Sequence, residues 1–206
     1  MANQSERARD RLVTAAARLF AERGYARTSV ADIQQACGLT GGSGALYKHF
    51  PSKGALLDEV IDRHLATMRY GNRLFADHAC DDIAQTLALL ADAMVSSMRR
   101  DRDILRVTLR DLDAFPELLD RVWTALRTDV YDAFTAWIDD QKTRRALPIV
   151  DVPATAAVLL ASLTYPPILD ALIGHTPADI EHARYRTAWV RHALTTLTVA
   201  EPAPSQ

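Results

Sequence analysis

Several common features of protein sequences are scarce in this 206-residue chain. It holds 2 cysteines, Cys37 and Cys80, with neither a Cys-x-x-Cys nor a paired Cys/His spacing. That excludes a disulfide scaffold and a cysteine-based zinc site, and it fits a reducing cytoplasm. Nowhere do apolar and polar residues alternate over more than a few positions beside a hairpin turn, so no strand is expected. The longest uncharged apolar run, read as Val152 to Tyr165, contains Pro153, Thr155, Ser162 and Thr164. Such a run is too short to cross a bilayer, and no membrane partner is expected. The opening Met-Ala-Asn-Gln-Ser-Glu-Arg lacks the apolar segment of a secretory signal. Finally, 24 basic against 26 acidic side chains leave a net charge of −2, which argues on its face against nucleic acid.

Charge along the chain reverses that last inference. Up to residue 54 there are eight basic side chains (Arg7, Arg9, Arg11, Arg18, Arg23, Arg27, Lys48, Lys53) against four acidic ones (Glu6, Asp10, Glu22, Asp32), so the acidic excess lies entirely in the remainder. A basic N-terminal module joined to an acidic body is the asymmetry expected where one end meets nucleic acid.

Helical periodicity runs nearly throughout. Leu12, Ala15, Ala16, Leu19 and Phe20 form one stripe, closed by Gly24 as a left-handed stop. Thr28 and Ser29 offer N-cap hydroxyls to a short helix with Val30 and Ile33 inward. A third helix carries Leu46 and Phe50, and Pro51-Ser52 separates it from a longer one through Ala55, Leu56, Leu57, Val60 and Ile61. Further helices read as Ile83 to Arg99, Ile104 to Leu112, Pro116 to about Lys142, Val152 to Ile173 and Ala178 to Val199. The expected fold is all-α: a helix-turn-helix domain over 1–54, a helical effector-binding and dimerisation domain over 55–200, and a disordered tail over 201–206. A chain of this length buries a sufficient core without disulfides or metal.

Three short helices with a Gly-containing turn between the second and third match a helix-turn-helix, whose third helix would enter the major groove. The run Ala16-Arg-Leu-Phe-Ala-Glu-Arg-Gly-Tyr25, then Thr28-Ser-Val-Ala-Asp-Ile33, Ala36-Cys-Gly-Leu-Thr40 and Gly44-Ala-Leu-Tyr-Lys-His-Phe50 with Ser52-Lys53, resembles the DNA-binding domain of the TetR (tetracycline repressor) family. The resemblance covers residues 11–57 and implies a dimeric transcriptional regulator that binds double-stranded DNA at an operator. The matching tyrosine, Tyr47, is a phosphate contact in that family; packing into the core is its other reading. Thr28 or Ser29 would present a helix N-terminus to phosphate. Lys48 and His49 carry donors that reach phosphate or base edges, with Ala45 on the same helix. Lys53, in the first turn of a helix, opposes the macrodipole, and a nearby phosphate would explain it. Between Thr40 and Gly44 stand Gly41-Gly42-Ser43, two residues more than most of the family has. Either Thr40 or Ser43 then caps the recognition helix, and Ser43 is favoured because two glycines at a helix start cost about 1 kcal/mol each relative to Ala. Arg7, Arg9 and Arg11 are read as preceding the first helix, either as a DNA-binding arm or as ordinary exposed arginines.

In the acidic body, Val158 with Tyr185, Trp189 and His192 is read as an apolar surface for a homodimer built from the last two helices, the arrangement the resemblance implies. Met94, Met98, Trp123, Leu126 and Tyr165 lie on helices around Pro166-Pro167, where they would line a pocket for a small apolar effector or form ordinary core. No nucleophile, base or metal cluster takes shape: His78-Ala-Cys80 is half a metal site at most. No enzyme activity, cofactor or metal is expected. The protein is expected to be cytoplasmic and to act as a repressor that an effector releases from a pseudo-palindromic operator. The alternative is a regulator of the same fold controlled by a protein partner or by none.

Overall fold

The computed structural model describes residues 2–39, 44–78 and 82–199, and among them there is no strand. In chain order the helices are α1 (Ala2–Arg23), α2 (Val30–Ala36), α3 (Lys53–His78), α4 (Ile83–Arg100), α5 (Arg102–Asp111), α6 (Pro116–Ala125), α7 (Ala133–Arg145), α8 (Val152–Ile173) and α9 (His182–Thr198). Short 3-10 turns lie at Leu46–Lys48, Leu112–Ala114 and Pro177–Asp179, and a π-helical segment, Leu126–Asp132, joins α6 to α7. The expected tail over 201–206, Thr40 to Ser43, and Cys80 lie outside the described residues.

Two compact units divide the chain: Met1–Thr67 with Asp101–Val122, and Met68–Arg100 with Trp123–Gln206. A cut at residue 54, drawn from charge, falls inside α3 and leaves α5 with the body, whereas the compact N-terminal unit includes both the first part of α3 and all of α5. The reason is apolar. In this unit α1 packs on α2 and α5, and Leu12, Leu19, Phe20, Ile33, Leu46, Leu56, Leu57, Ile61 and Leu112 are all nearly inaccessible to solvent. Burying each large side chain removes roughly 1.5–3 kcal/mol of hydration cost, so α3 and α5 are as much part of this core as α1.

The second unit is centred on α8, which packs with α4, α7 and α9. Asp151 caps it by accepting from the Ala154 N–H at 2.9 Å, and Pro153 stands in its first turn where no donor is needed. The uncharged run is longer than Val152 to Tyr165: it continues through Pro166 and Pro167 to Leu169, and the helix ends at Ile173 against a left-handed Gly174, φ 77°. By length and composition alone α8 is long and apolar enough to cross a membrane. Its buried face, Ala156, Leu159, Leu160, Leu163, Pro166, Pro167 and Ala171, instead meets helices of its own unit. Phe134, Ile138, Trp189, Ala193 and Leu197 complete that core.

Candidate nucleic-acid interface

The N-terminal unit is built around the turn between α1 and α2. Gly24 closes α1 with φ 91° and donates to the Phe20 carbonyl at 2.8 Å, a conformation that a Cβ would strain. Four residues on, Thr28 is buried, and its hydroxyl lies 2.9 Å from the Gly24 carbonyl and 3.2 Å from the Leu19 carbonyl. Thr28 therefore fastens the turn and is not presented to phosphate, which corrects the expectation for it. Ser29 does cap α2, in a reciprocal box with Asp32: the Asp32 N–H donates to Ser29 Oγ at 3.1 Å, while Ser29 N–H donates to Asp32 Oδ2 at 2.8 Å. The Ser29 hydroxyl also donates to Asp32 Oδ2, and this bond above all holds the carboxyl below its ordinary pKa. A carboxylate thus occupies the end of α2 where an anion was expected.

Lys53 has an internal explanation too. Its Nζ donates to the carbonyls of Tyr25 at 2.9 Å and Thr28 at 3.0 Å and sits 4.0 Å from the centre of the Tyr25 ring. The carbonyls and the ring face offset the unfavourable helix dipole. Arg9, read as part of an arm before the first helix, lies inside α1 and makes a two-pronged pair with Glu59 at 2.6 Å, its guanidinium over the Phe50 ring. Arg63 of α3 holds Asp10 at 2.7 Å. These two pairs pin the first turns of α1 onto α3, so the segment that was read as preceding the first helix, as an arm or as ordinary exposed arginines, is itself helical. Arg7 and Arg11 are exposed on α1.

The third helix of the sequence reading is described only as a single 3-10 turn, Leu46–Lys48, preceded by Gly44 at φ 65°. Leu46 and Phe50 face the core, as the spacing predicted. Tyr47 is 58% exposed, which removes core packing as its explanation. Lys48 is exposed beside it, and Ala45 and His49 are half-buried at the turn's edges. Thr40, Gly42 and Ser43, the remaining predicted DNA contacts, fall outside the described residues.

In the second unit the expected effector residues do not gather. Trp123, Leu126 and Tyr165 are 65%, 38% and 53% exposed. A constant helical period from Trp123 to Trp137 would put these side chains on one stripe, but the wider turns of the π segment Leu126–Asp132 break that period, and Phe134 and Ile138 are buried while Trp123 is not. Tyr165 points out because its neighbours Pro166 and Pro167 point in. Met94 packs against the unit's core, and Met98 is half-buried. A cavity of about 410 Å³ opens instead between the end of α4, the proline turn of α8 and the start of α9.

Of the expected dimer residues, Val158 is 60% exposed and His192 is exposed. Trp189 is not: it lies in the unit's own core, where its indole N–H donates to the Leu159 carbonyl and to Ser162 Oγ, both at 3.1 Å. The inward stripe of α9 is thus Trp189, Ala193 and Leu197, and Tyr185 leans on it, half-buried. Burial pushes the Tyr185 phenol up from its ordinary pKa.

Residues 12–60 match the family model of bacterial regulatory proteins, tetR family. The N-terminal domain is a TetR-family domain. The transcriptional repressor KstR2 of Rhodococcus jostii is 49% identical over 53 residues, 26% of this chain and 25% of that protein. The regulator TtgR of Pseudomonas putida is 39% identical over 59 residues, 29% of this chain and 27% of its own. The chain thus spans about a quarter of the length of these curated relatives. Over nearly the whole chain the fold is that of TetR-type regulators. A TetR regulator of Chloroflexus aurantiacus superposes with a TM-score of 0.75 at 24% identity, covering 96% of this chain and 100% of that one. PfmR of Thermus thermophilus gives 0.70 at 23% identity, covering 95% and 98%. The named relatives and neighbours are regulators, and none is an enzyme.

The support of this TetR-family domain contains residues that the sequence reading missed. Arg110, late in α5, donates to two carbonyls of the last turn of α1, Phe20 at 2.6 Å, which also accepts from the Gly24 N–H, and Ala21 at 3.1 Å. Its neighbour Asp111 accepts from the Tyr25 N–H at 3.1 Å, and Phe115 meets the Tyr25 ring edge-on at 4.8 Å. No local pattern announces contacts between residues 86 to 90 positions apart.

Proposed function

We propose that the protein is a DNA-binding transcriptional regulator, a repressor that binds a pseudo-palindromic operator as a homodimer and that a small-molecule effector releases. The observation that carries this reading is the Leu46–Lys48 turn, anchored by buried Leu46 and Phe50, with Tyr47 and Lys48 exposed on the other side. An aromatic hydroxyl and an ammonium side by side on a rigid support suit phosphate contacts that set register on the duplex. His49 and Ala45 flank them, and the Thr40 to Ser43 segment, next to the turn in sequence, is where base preference would arise. The 49% identity of the N-terminal residues to the repressor KstR2 supports the repressor role.

Dimerisation through α8 and α9 is part of the proposal. Val158, Ala161 and Tyr165 are exposed at helical spacing along α8, and His192 is exposed on α9. Two heads about one helical turn apart multiply an affinity that one head would not reach. The N-terminal domain is the reader, the remainder carries the effector site and the dimer surface, and the protein works in the cytoplasm. A gel-shift series with DNA from upstream of its own gene tests the reading. Sequence-selective, salt-sensitive retardation is expected, and retardation indifferent to sequence would refute it.

A further inference from the structure

The cavity of about 410 Å³ is lined by charged as well as apolar side chains. Its size falls within the range of small-molecule sites. Val95, Leu163, Pro166, Pro167 and Ile180 give it an apolar wall, rigid where two prolines share one helical turn. Arg99, in the last turn of α4, also lines it and carries a guanidinium. Several arginines of this unit have a carboxylate: Arg69 has Asp129, Arg144 has Asp140, and Arg186 has Asp92. Arg99 is exposed and makes no ion pair of this kind among the described residues. His182, in the first turn of α9, lines the same cavity and can offer a ring N–H donor.

Two carboxylates, Asp170 and Glu181, also line the cavity. Asp170 is already engaged by another group of the protein, and Glu181 is exposed. They limit how much negative charge an occupant can bring, because like charges in a partly desolvated site repel.

We infer that this cleft takes a monocarboxylate with an apolar body, its carboxylate paired with Arg99 and its body laid against the proline turn. Guanidinium and carboxylate match in planar, two-pronged geometry. A phosphate monoester or a dicarboxylate would meet Asp170 and Glu181, and an alcohol or amine of the same shape would leave Arg99 unpaired. The inference rests on the effector-controlled reading above and supplies its ligand class.

The test uses the full-length protein with three matched probes, 4-phenylbutyrate, 4-phenylbutan-1-ol and 4-phenylbutylamine, and with 4-phenylbutyl phosphate as the dianion. Calorimetric titration and melting curves are recorded for the wild type and for Arg99→Gln. Measurable binding of the acid alone, with a raised melting point, is expected. Arg99→Gln should lose at least tenfold in affinity for the acid while melting normally without ligand, and a double variant, Asp170→Asn with Glu181→Gln, should gain affinity for the phosphate. Failure of the acid to bind, equal binding of the alcohol or amine, or an unchanged affinity in Arg99→Gln would overturn the inference. A parallel gel shift separates the two readings. If the acid binds through Arg99 and DNA stays bound, effector control fails and the ligand class stands; if another compound releases DNA while the acid does not bind, the reverse holds.

Discussion

The Tyr185 hydroxyl donates to the Ser162 carbonyl at 2.6 Å, and that carbonyl is the one whose helical donor Pro166 removes. A proline in the middle of α8 is tolerated because a neighbouring helix supplies the missing donor. Trp189 and Ser162 extend the arrangement by hydrogen-bonding around Leu159, so α8 and α9 are joined by polar contacts at the point where α8 is weakest. Replacing Tyr185 with Phe keeps the ring and leaves the carbonyl unsatisfied. A loss of about 1–3 kcal/mol in chemical denaturation is expected, with the far-ultraviolet spectrum unchanged.

Arg110 supports a second prediction. Arg110→Ala removes the donors to Phe20 and Ala21 at the end of α1 and frees the α5 side of the Tyr25 turn. Its side chain is about one-third exposed, so an effect at the lower end of the range for charged hydrogen bonds, about 1–2 kcal/mol, is expected. DNA affinity should fall with it, and retention of full stability by the variant would show that α5 does not hold the turn.

Two lysines of the head should behave differently on DNA. Lys48 is exposed, so Lys48→Ala should lower affinity and reduce the slope of log K against log salt by about 1. Lys53 is held by two carbonyls and a ring, so Lys53→Met should lower both stability and affinity while leaving the slope nearly unchanged. Equal changes of slope for the two variants would count against the assignment.

Acid stability gives a fourth check. Arg9 chiefly, with help from Arg63, holds the Glu59 carboxyl below the ordinary carboxylate value. A carboxylate lowered on folding contributes stability that is fully present above its unfolded pKa and is lost as pH falls through the folded one. The wild type should therefore lose stability on acidification below the usual glutamate range, and Glu59→Gln should lose less over that interval while being less stable at neutral pH. Melting curves from about pH 7 to about pH 3 at constant ionic strength measure both.

Much of this molecule was legible from residues alone, for identifiable reasons. The helix ends at Gly24 and at Ile173, before Gly174, were visible because a left-handed glycine stop acts locally. The buried Leu46 and Phe50 followed from their spacing, whereas for Tyr47 both a phosphate contact and core packing stood open until its exposure decided. Side chains with two plausible partners were less readable. Thr28 and Lys53 carry the donors of a phosphate site, yet carbonyls of the α1–α2 turn claim them, and only three-dimensional proximity decides between the two. Trp189 failed as a surface residue for a related reason: α9 has two apolar stripes, and periodicity does not say which faces home. The π segment defeated a spacing argument outright, since a wider turn invalidates any stripe drawn through it.

The inclusion of α5 in the N-terminal unit bears on how such regulators exchange parts. A reading head that ended near residue 54 could be moved between proteins as one contiguous gene fragment. This head also needs Val107 and Leu112 for its core and Arg110 and Asp111 for its turn. A graft made at residue 54 would place the α1–α2 turn against a foreign helix, so a working chimera must carry two separate stretches of sequence, and recombination within this gene would more often yield an unstable hybrid than a new specificity.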